Sequence, residues 1–140
     1  VEGVKIGVFG LGIRLEGLVP TKLYGNIRYE DPVEKANLTA TLLKEELGCD
    51  YVVCLSHLGY KYRENYLVSD VILAQENKNI DLILGGHTHT FMRKPDVYKN
   101  AMDQKTLVNQ AGFGGLLLGR IDILFERNKK GRWDYTNPSL

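Results

Sequence analysis

The three histidines of this 140-residue chain all follow apolar, strand-like runs. His57 comes shortly after the run Tyr51 to Leu55, and His87 and His89 follow Ile80 to Leu84 across two glycines. Ligands of α/β proteins usually bind at the carboxyl ends of parallel strands, and histidine is the commonest side chain for binding a transition metal. The histidines are therefore concentrated where a metal site is expected.

The spacing of His87 and His89 leaves two arrangements open. In extended backbone, residues two apart point to the same side, roughly 6–7 Å from each other. Both rings could bind one metal if the backbone bends, or each could bind one ion of a pair about 3.5–4 Å apart. Gly85 and Gly86 permit a close backbone approach or an unusual turn before them. A His-x-His pair by itself is also common on protein surfaces, and His57 at a second strand end is what favours a metal site.

The first two thirds of the chain has the pattern of a parallel α/β sheet. Three apolar strands alternate with two helices, the first capped by Asp31 and ended by Gly48, as strand and helix signals predict. In chain order the expected elements are the strand Lys5 to Leu11, a helix from Pro32, the strand Tyr51 to Leu55, a short helix from Ser69-Asp70 to near Asn77, and the strand Ile80 to Leu84. Right-handed crossovers would place the strands parallel, and the fold class is α/β.

The last third is expected to form an antiparallel meander. The expected elements are strands Thr106 to Ala111 and Leu116 to Phe125 joined by Gly112 to Gly115, and a turn at Asn128 to Gly131 from which Arg132 to Tyr135 pairs back. The charged stretch from Lys99 to Lys105 is expected to be a solvated loop. Asn109 and Gln110 fall at a strand end, and Asn109 is our candidate for substrate contact.

Composition excludes several function classes. The formal net charge is +1, and no long basic run indicates nucleic-acid binding. No apolar stretch approaches the ~18 residues that cross a bilayer. Cys49 and Cys54 are too few for a disulfide framework, and Cys54 lies too deep in its strand for a reactive thiolate. Ser56 and His57 are neighbours on a strand and face opposite ways, so they form no nucleophile–base pair.

Two motifs resemble those of the calcineurin-like metallophosphoesterases, closest to the 5′-nucleotidase/UDP-sugar hydrolase branch. They are Ser56-His57-Leu58-Gly59 and Gly86-His87-Thr88-His89. The resemblance implies a β-sandwich flanked by helices and a site for two divalent metal ions, zinc, manganese or similar. It assigns His57 and His87 to one ion and His89 to the other. The pair would clamp the phosphate of a nucleotide or other phosphoester and activate a water for attack on phosphorus.

The chain departs from that family in lacking its earlier motifs. It contains no Asp-x-His, no Gly-Asp and no Gly-Asn-His, which supply further metal ligands and the catalytic histidine. We therefore expect residues 1–140 to be the C-terminal half of a catalytic domain. The N-terminal half and the nucleotide-recognition domain that follows would be absent. The isolated chain is then expected to hydrolyse nothing at a useful rate, and an exposed sheet edge would favour association.

Other functions remain open at this stage. A sister hydrolase would act on nucleotide sugars, cyclic nucleotides or thiosulfonate-type esters. A protein of a different class would be a non-catalytic metal-binding or structural module of the same fold. The N-terminal residues have no basic region followed by an apolar core, so we expect no signal peptide within these 140 residues, and a precursor could have lost one. A periplasmic or exported location is expected from the resemblance alone.

Overall fold

The computed structural model describes residues 2–64 and 66–137. Its strands are β1 (Ile6–Leu11), β2 (Tyr51–Ser56), β3 (Leu82–Leu84), β4 (Asp96–Lys99), β5 (Lys105–Asn109), β6 (Leu124–Arg127) and β7 (Trp133–Thr136). Its helices are α1 (Thr21–Tyr24), α2 (Pro32–Thr41), which continues as a π-helical segment (Leu42–Glu46), and α3 (Asp70–Glu76).

Five strands form one sheet in the order β1-β2-β3-β5-β4, and β6 and β7 form a separate hairpin. β1, β2, β3 and β5 are parallel, whereas β4 runs antiparallel to β5. Leu84 pairs with Leu55 on one side and with Asn109 on the other. The carboxyl ends of β2, β3 and β5 therefore lie side by side, and the predicted α/β class is confirmed.

Helix α2 begins at the residues that the sequence indicates. The Asp31 side chain accepts a hydrogen bond of 2.9 Å from the Glu34 backbone N–H, which caps the helix. Ala36 and Ala40 are fully buried against the sheet. Gly48 follows the π-helical segment with a φ of +65°, a backbone conformation that glycine adopts without steric cost.

Helix α3 crosses back between β2 and β3. Ser69 accepts a hydrogen bond from the Ile72 backbone N–H, and the Asn77 side chain donates to the carbonyls of Leu73 and Ala74 at the other end. Leu73 and Ala74 are fully buried. The helix is thus fastened at both ends, which matters because Asp70 in its first turn lies beneath the histidine loop.

Each face of the sheet carries its own apolar cluster. The cluster under α2 and α3 includes Val52, Cys54, Ile83 and Val108. The opposite face carries a smaller cluster that consists of Tyr51, Leu82 and Leu107, covered by Ile121, Ile123 and Phe125. Both cysteines are free and buried, and burial raises the pKa of the Cys54 thiol to about 12.

The prediction of a meander in the last third is wrong in part. β5 belongs to the main parallel sheet because its residues 106–109 are buried beside β3. Residues 116–123 form no strand, and Leu118 is 96% exposed. The glycines of the preceding segment break the chain direction, since Gly112, Gly114 and Gly115 all have positive φ.

The structure confirms the predicted hairpin and adds a strand and a short helix that the sequence did not indicate. The β6–β7 hairpin forms around the Asn128 to Gly131 turn, as predicted. Within the predicted loop from Lys99 to Lys105, residues 100–104 form the turn between β4 and β5, and only the two end residues belong to strands. The predicted loop before α2 also contains the short helix α1. Association through a sheet edge stays a prediction, and the two edges are β1 and β4.

Among the described residues, no helix has both the length and the apolarity to cross a membrane.

Candidate functional site

His57 and His87 come together at the carboxyl end of the sheet. His57 follows β2 and is exposed, while His87 lies in the loop after β3 and is partly buried. Their ring centroids are 5.2 Å apart, with the ring planes at 67°. Adjacent parallel strands thus deliver two imidazoles to one place, as their positions after β2 and β3 predict.

The backbone of the histidine loop is not extended. His87 has a φ of +73° and His89 a φ of +54°, in the left-handed region that costs a non-glycine residue about 1–3 kcal/mol. The loop therefore has the unusual turn that the two glycines permit, and not the extended backbone in which residues two apart point to the same side. His87 faces His57, whereas the ring of His89 stacks on Phe113 at a centroid distance of 5.0 Å and an angle of 26°.

One buried side chain holds this strained loop in place. Gln110, which is 2% exposed, accepts hydrogen bonds from the Thr90 backbone N–H at 2.6 Å and from the Thr88 hydroxyl at 3.2 Å. Its amide group donates to the Gly86 carbonyl at 2.8 Å. The Thr88 oxygen also accepts from the Tyr60 backbone N–H at 2.9 Å, so the loop is tied to β5 and to the residues after β2.

The two glycines before His87 are required for space. A Cβ on Gly85 would lie 2.1 Å from the Asp70 Oδ2 atom, so the buried carboxylate or the loop would have to shift. A Cβ on Gly86 would lie 3.1 Å from the Nδ1 atom of His57. Gly86 therefore lets the His57 ring approach the loop, and Gly85 lets the loop pass over a buried carboxylate.

Asp70 is the buried carboxylate under the loop, and sequence reasoning treated it only as part of a helix start. The Ser56 hydroxyl donates to its Oδ1 atom at 2.5 Å. Burial raises the pKa of Asp70 to about 6, and the hydrogen bond from Ser56 partly offsets that rise. Ser56 is thereby engaged in positioning the site. No sequence pattern pointed to this contact, because it joins residues 14 positions apart on two elements.

The electrostatics around His87 favour its neutral imidazole form. Burial lowers the pKa of His87 below its ordinary value, and the neighbouring His57 and His89 lower it further. A neutral imidazole is the form that binds a metal ion. His87 is therefore presented in a state suited to coordination.

Asn109, the candidate for substrate contact, lies elsewhere. It lines a cavity of about 340 Å³ on the second face of the sheet, together with Leu84, Gly119 and Ile121, and none of the three histidines lines that cavity. Its Oδ1 atom is buried without a hydrogen-bond partner. The neighbouring Gln110, rather than Asn109, is the residue that contacts the histidine loop, and substrate contact by Asn109 stays a prediction.

The His57 and His87 side chains are suited to bind a metal ion, but they supply only some of the ligands that a complete site needs. Two imidazole rings at this separation suit a shared transition-metal ion. In residues 2–64 and 66–137, however, no group of three or more histidine, cysteine, aspartate or glutamate side chains is placed to hold a metal. The described residues thus bring two of the three histidines together, and metal binding by His57, His87 and His89 stays a prediction.

Comparison with known proteins agrees with these features. The sequence model of the calcineurin-like phosphoesterase family matches residues 8–91, which run from β1 past the histidine loop. The chain is 36% identical to the trifunctional nucleotide phosphoesterase protein YfkN of Bacillus subtilis and 27% identical to a 5′-nucleotidase of Diplobatis ommata. The crystal structure of a 5′-nucleotidase precursor from Thermus thermophilus superposes with a TM-score of 0.55 and 28% identity over 77% of this chain.

These relatives are all much longer than this chain. The matches cover 100% of this chain but 9% of the Bacillus protein, 92% but 23% of the Diplobatis protein, and 22% of the Thermus chain. The family match itself falls in the N-terminal two thirds of these 140 residues, and assignment of the chain to the C-terminal half of a catalytic domain stays a prediction. The resemblance drawn from the two histidine motifs is confirmed at the level of the family. With the family match extending over more than half of its length, the chain belongs to the calcineurin-like phosphoesterase family.

Proposed function

We propose that the polypeptide carrying this chain is a metal-dependent phosphoester hydrolase that releases phosphate from nucleotides. The observation that carries the proposal is the His57–His87 pair, with centroids 5.2 Å apart at the carboxyl ends of adjacent parallel strands, in a member of the calcineurin-like phosphoesterase family. Relatives named as a nucleotide phosphoesterase and as 5′-nucleotidases support nucleotides as the substrate class.

In this proposal His57 and His87 bind one divalent ion and His89 binds a second, zinc, manganese or similar. Such ions polarise the phosphoryl oxygens and activate a water for in-line attack. His89 would first leave its stack on Phe113. Imidazoles are neutral ligands, so a bridging carboxylate is needed to balance two divalent cations, and the described residues bring none to the pair. The missing ligands and the catalytic histidine would come from polypeptide outside these 140 residues.

The residues of this chain then act mainly by positioning. Gln110 keeps the loop in the one conformation that turns His87 towards His57. Gly85 and Gly86 leave room for Asp70 and for the His57 ring. The proposal also keeps Asn109 as a substrate contact, which requires the cavity on the second face to open towards the substrate.

Activity measurements on two lengths of polypeptide test the proposal. The 140-residue chain with Mn²⁺ or Zn²⁺ is expected to release no phosphate from an aryl phosphate at a useful rate, whereas the full-length polypeptide is expected to turn it over. His57→Ala and His87→Ala should abolish that turnover, while the matched control Lys129→Ala, in the exposed turn of the hairpin, should not. Robust turnover by the short chain, or full activity in both histidine variants, would contradict the proposal.

The name of the Bacillus relative, a trifunctional nucleotide phosphoesterase, favours activity on more than one kind of nucleotide ester. A panel of mononucleotides, cyclic nucleotides and nucleotide sugars, assayed with the full-length polypeptide, separates a broad enzyme from a strict 5′-nucleotidase. A metal-loaded polypeptide that hydrolyses none of them would be a binding module of the same fold. Export belongs to the same proposal, supported by a relative named as a snake venom 5′-nucleotidase.

A further inference from the structure

The ring of His89 belongs to a row of three aromatic side chains. It stacks on Phe113 with the ring centroids 5.0 Å apart and the planes at 26°. Phe113 in turn meets Phe91 edge to face, at a centroid distance of 5.7 Å and an angle of 70°. This aromatic row, His89–Phe113–Phe91, joins the loop after β3 to the segment after β5, and the proposed function assigns no role to its two phenylalanines.

The backbone pairing beside the row sets the contact between His89 and Phe113. Phe91 and Ala111 form an isolated antiparallel bridge. Two positions further along the same register, residue 89 lies opposite residue 113, and directly opposed side chains of antiparallel chains interact. A Cβ on Gly112 would lie 2.3 Å from the Phe91 ring, so glycine at this position lets the row pack closely. The stack on His89 is therefore built into the pairing of the two segments.

The aromatic row keeps His89 apart from the other two histidines. His57 and His87 already meet, with ring centroids 5.2 Å apart. Within residues 2–64 and 66–137, no group of three histidine, cysteine, aspartate or glutamate side chains is placed to hold a metal, so the stacked ring does not join the pair. An ion held by His57 and His87 finds both imidazoles together, whereas a second ion gains His89 only after that ring turns away from Phe113.

We propose that Phe113 is a positioning residue that holds His89 back and thereby makes the second divalent ion bind more weakly than the first. The inference rests on the proposed function for the assignment of His89 to a second ion. When a ligand is available in only a fraction of the molecules, the apparent affinity falls by that fraction. A stacked aromatic pair favours the closed state enough to raise the apparent dissociation constant by about 2- to 10-fold.

Metal titration of the full-length polypeptide tests the inference without any turnover. After metal is removed with EDTA and the chelator is dialysed away, calorimetric titration with Mn²⁺ should resolve a tighter and a weaker step. Phe113→Ala should tighten the weaker step by about 2- to 10-fold and leave the tighter step unchanged. Phe113 is 49% exposed, so its replacement does not threaten folding. Phe113→Tyr keeps the ring and should bind Mn²⁺ as the wild type does.

Two further variants distinguish a contact with His89 from a general effect on the segment. Leu118→Ala, in the same segment and 96% exposed, is the matched control and should leave both steps unchanged. In a His89→Ala background, Phe113→Ala should have no effect on Mn²⁺ binding, because the ring that it releases is absent. Equal effects of Phe113→Ala with and without His89, or no effect in either background, would overturn the inference.

The same titrations separate this inference from the proposed function. A weaker step that Phe113→Ala tightens, in a polypeptide that hydrolyses no phosphoester, supports the role of Phe113 and contradicts the proposed function. Phosphatase activity in a polypeptide whose Mn²⁺ binding is unchanged by Phe113→Ala contradicts the role of Phe113 alone. Uptake of a single ion by the wild type, or two steps that His89→Ala leaves intact, would also overturn the inference, since His89 then binds no second ion.

Discussion

The amide group of Gln110 donates a hydrogen bond of 2.8 Å to the carbonyl of Gly86, which joins the end of β5 to the loop that carries His87. The carbonyl oxygen of the same side chain accepts from Thr90 on the far side of both loop histidines. The two bonds span the left-handed residues His87 and His89, and a buried side chain thereby stabilises backbone strain that the loop could not sustain alone.

Gln110→Ala is expected to destabilise the 140-residue chain by about 2–4 kcal/mol, because it removes three hydrogen bonds and leaves the part-buried Thr90 backbone N–H without this partner. The free energy of unfolding in urea measures this loss. Cobalt absorption titrations should also show weaker metal binding as the loop relaxes. Gln75→Ala, on the exposed face of α3, is the control and should change stability by less than about 0.5 kcal/mol. Equal stability of the two variants would show that the loop does not depend on Gln110.

Alanine at the two glycines should have graded effects. Gly85→Ala should prevent the native loop, since its methyl group would overlap the Asp70 carboxylate at 2.1 Å. Gly86→Ala should be milder, because the His57 ring at 3.1 Å can rotate away, but metal binding should weaken. Gly12→Ala is the control, since nothing lies within 4 Å of its added Cβ. Thermal unfolding and cobalt titration of the three variants check this order, and an unaffected Gly85→Ala would contradict the described packing.

Asp70 should make the folded chain less stable as the pH rises from about 4 to about 7. Its pKa is about 6 in the folded chain against an ordinary value of 3.8, so between these values the folded state binds a proton that the unfolded state releases. The contribution of Asp70 is therefore complete below pH 3.8 and is lost as the pH rises through about 6.

The difference in unfolding free energy between wild type and Asp70→Asn isolates this effect, since the other carboxylates cancel. As the pH rises from about 4 to about 7, the wild type should lose on the order of 2–3 kcal/mol of stability relative to Asp70→Asn. Urea unfolding across this range provides the measurement. A difference that stays constant with pH, or one that moves in the opposite direction, would refute the raised pKa.

A second buried carboxylate, Asp81, should matter for the hairpin. It accepts hydrogen bonds from the Val52 backbone N–H at 2.6 Å and from the Tyr135 hydroxyl, and it pairs with Lys44 at 2.8 Å. Asp81→Ala would leave a partly buried ammonium without its partner and should cost about 3 kcal/mol. Chemical denaturation measures it, with the exposed Glu46→Ala as control. A loss no larger than that of the control would mean that the hairpin does not depend on Asp81.

Local signals in the sequence were sufficient for much of the fold. The caps Asp31 and Ser69 were predicted because a side chain that accepts from a backbone N–H three residues on is a short-range event. Strands β1 and β2 were predicted from their continuous apolar runs, which are typical of buried parallel strands. Strand β4 was missed because its alternating, half-exposed residues become a strand only by pairing with β5.

The sequence alone determined the family and the positions of the three histidines after apolar strands, since motif spacing and strand periodicity depend on residues close together in the chain. Only the tertiary structure decided which rings meet. His87 turns to His57, and His89 to Phe113, because a glutamine directly after β5 holds the loop in left-handed backbone that no local propensity favours. Contacts between residues 20 or more positions apart carry that choice, and they exist only once the strands are side by side.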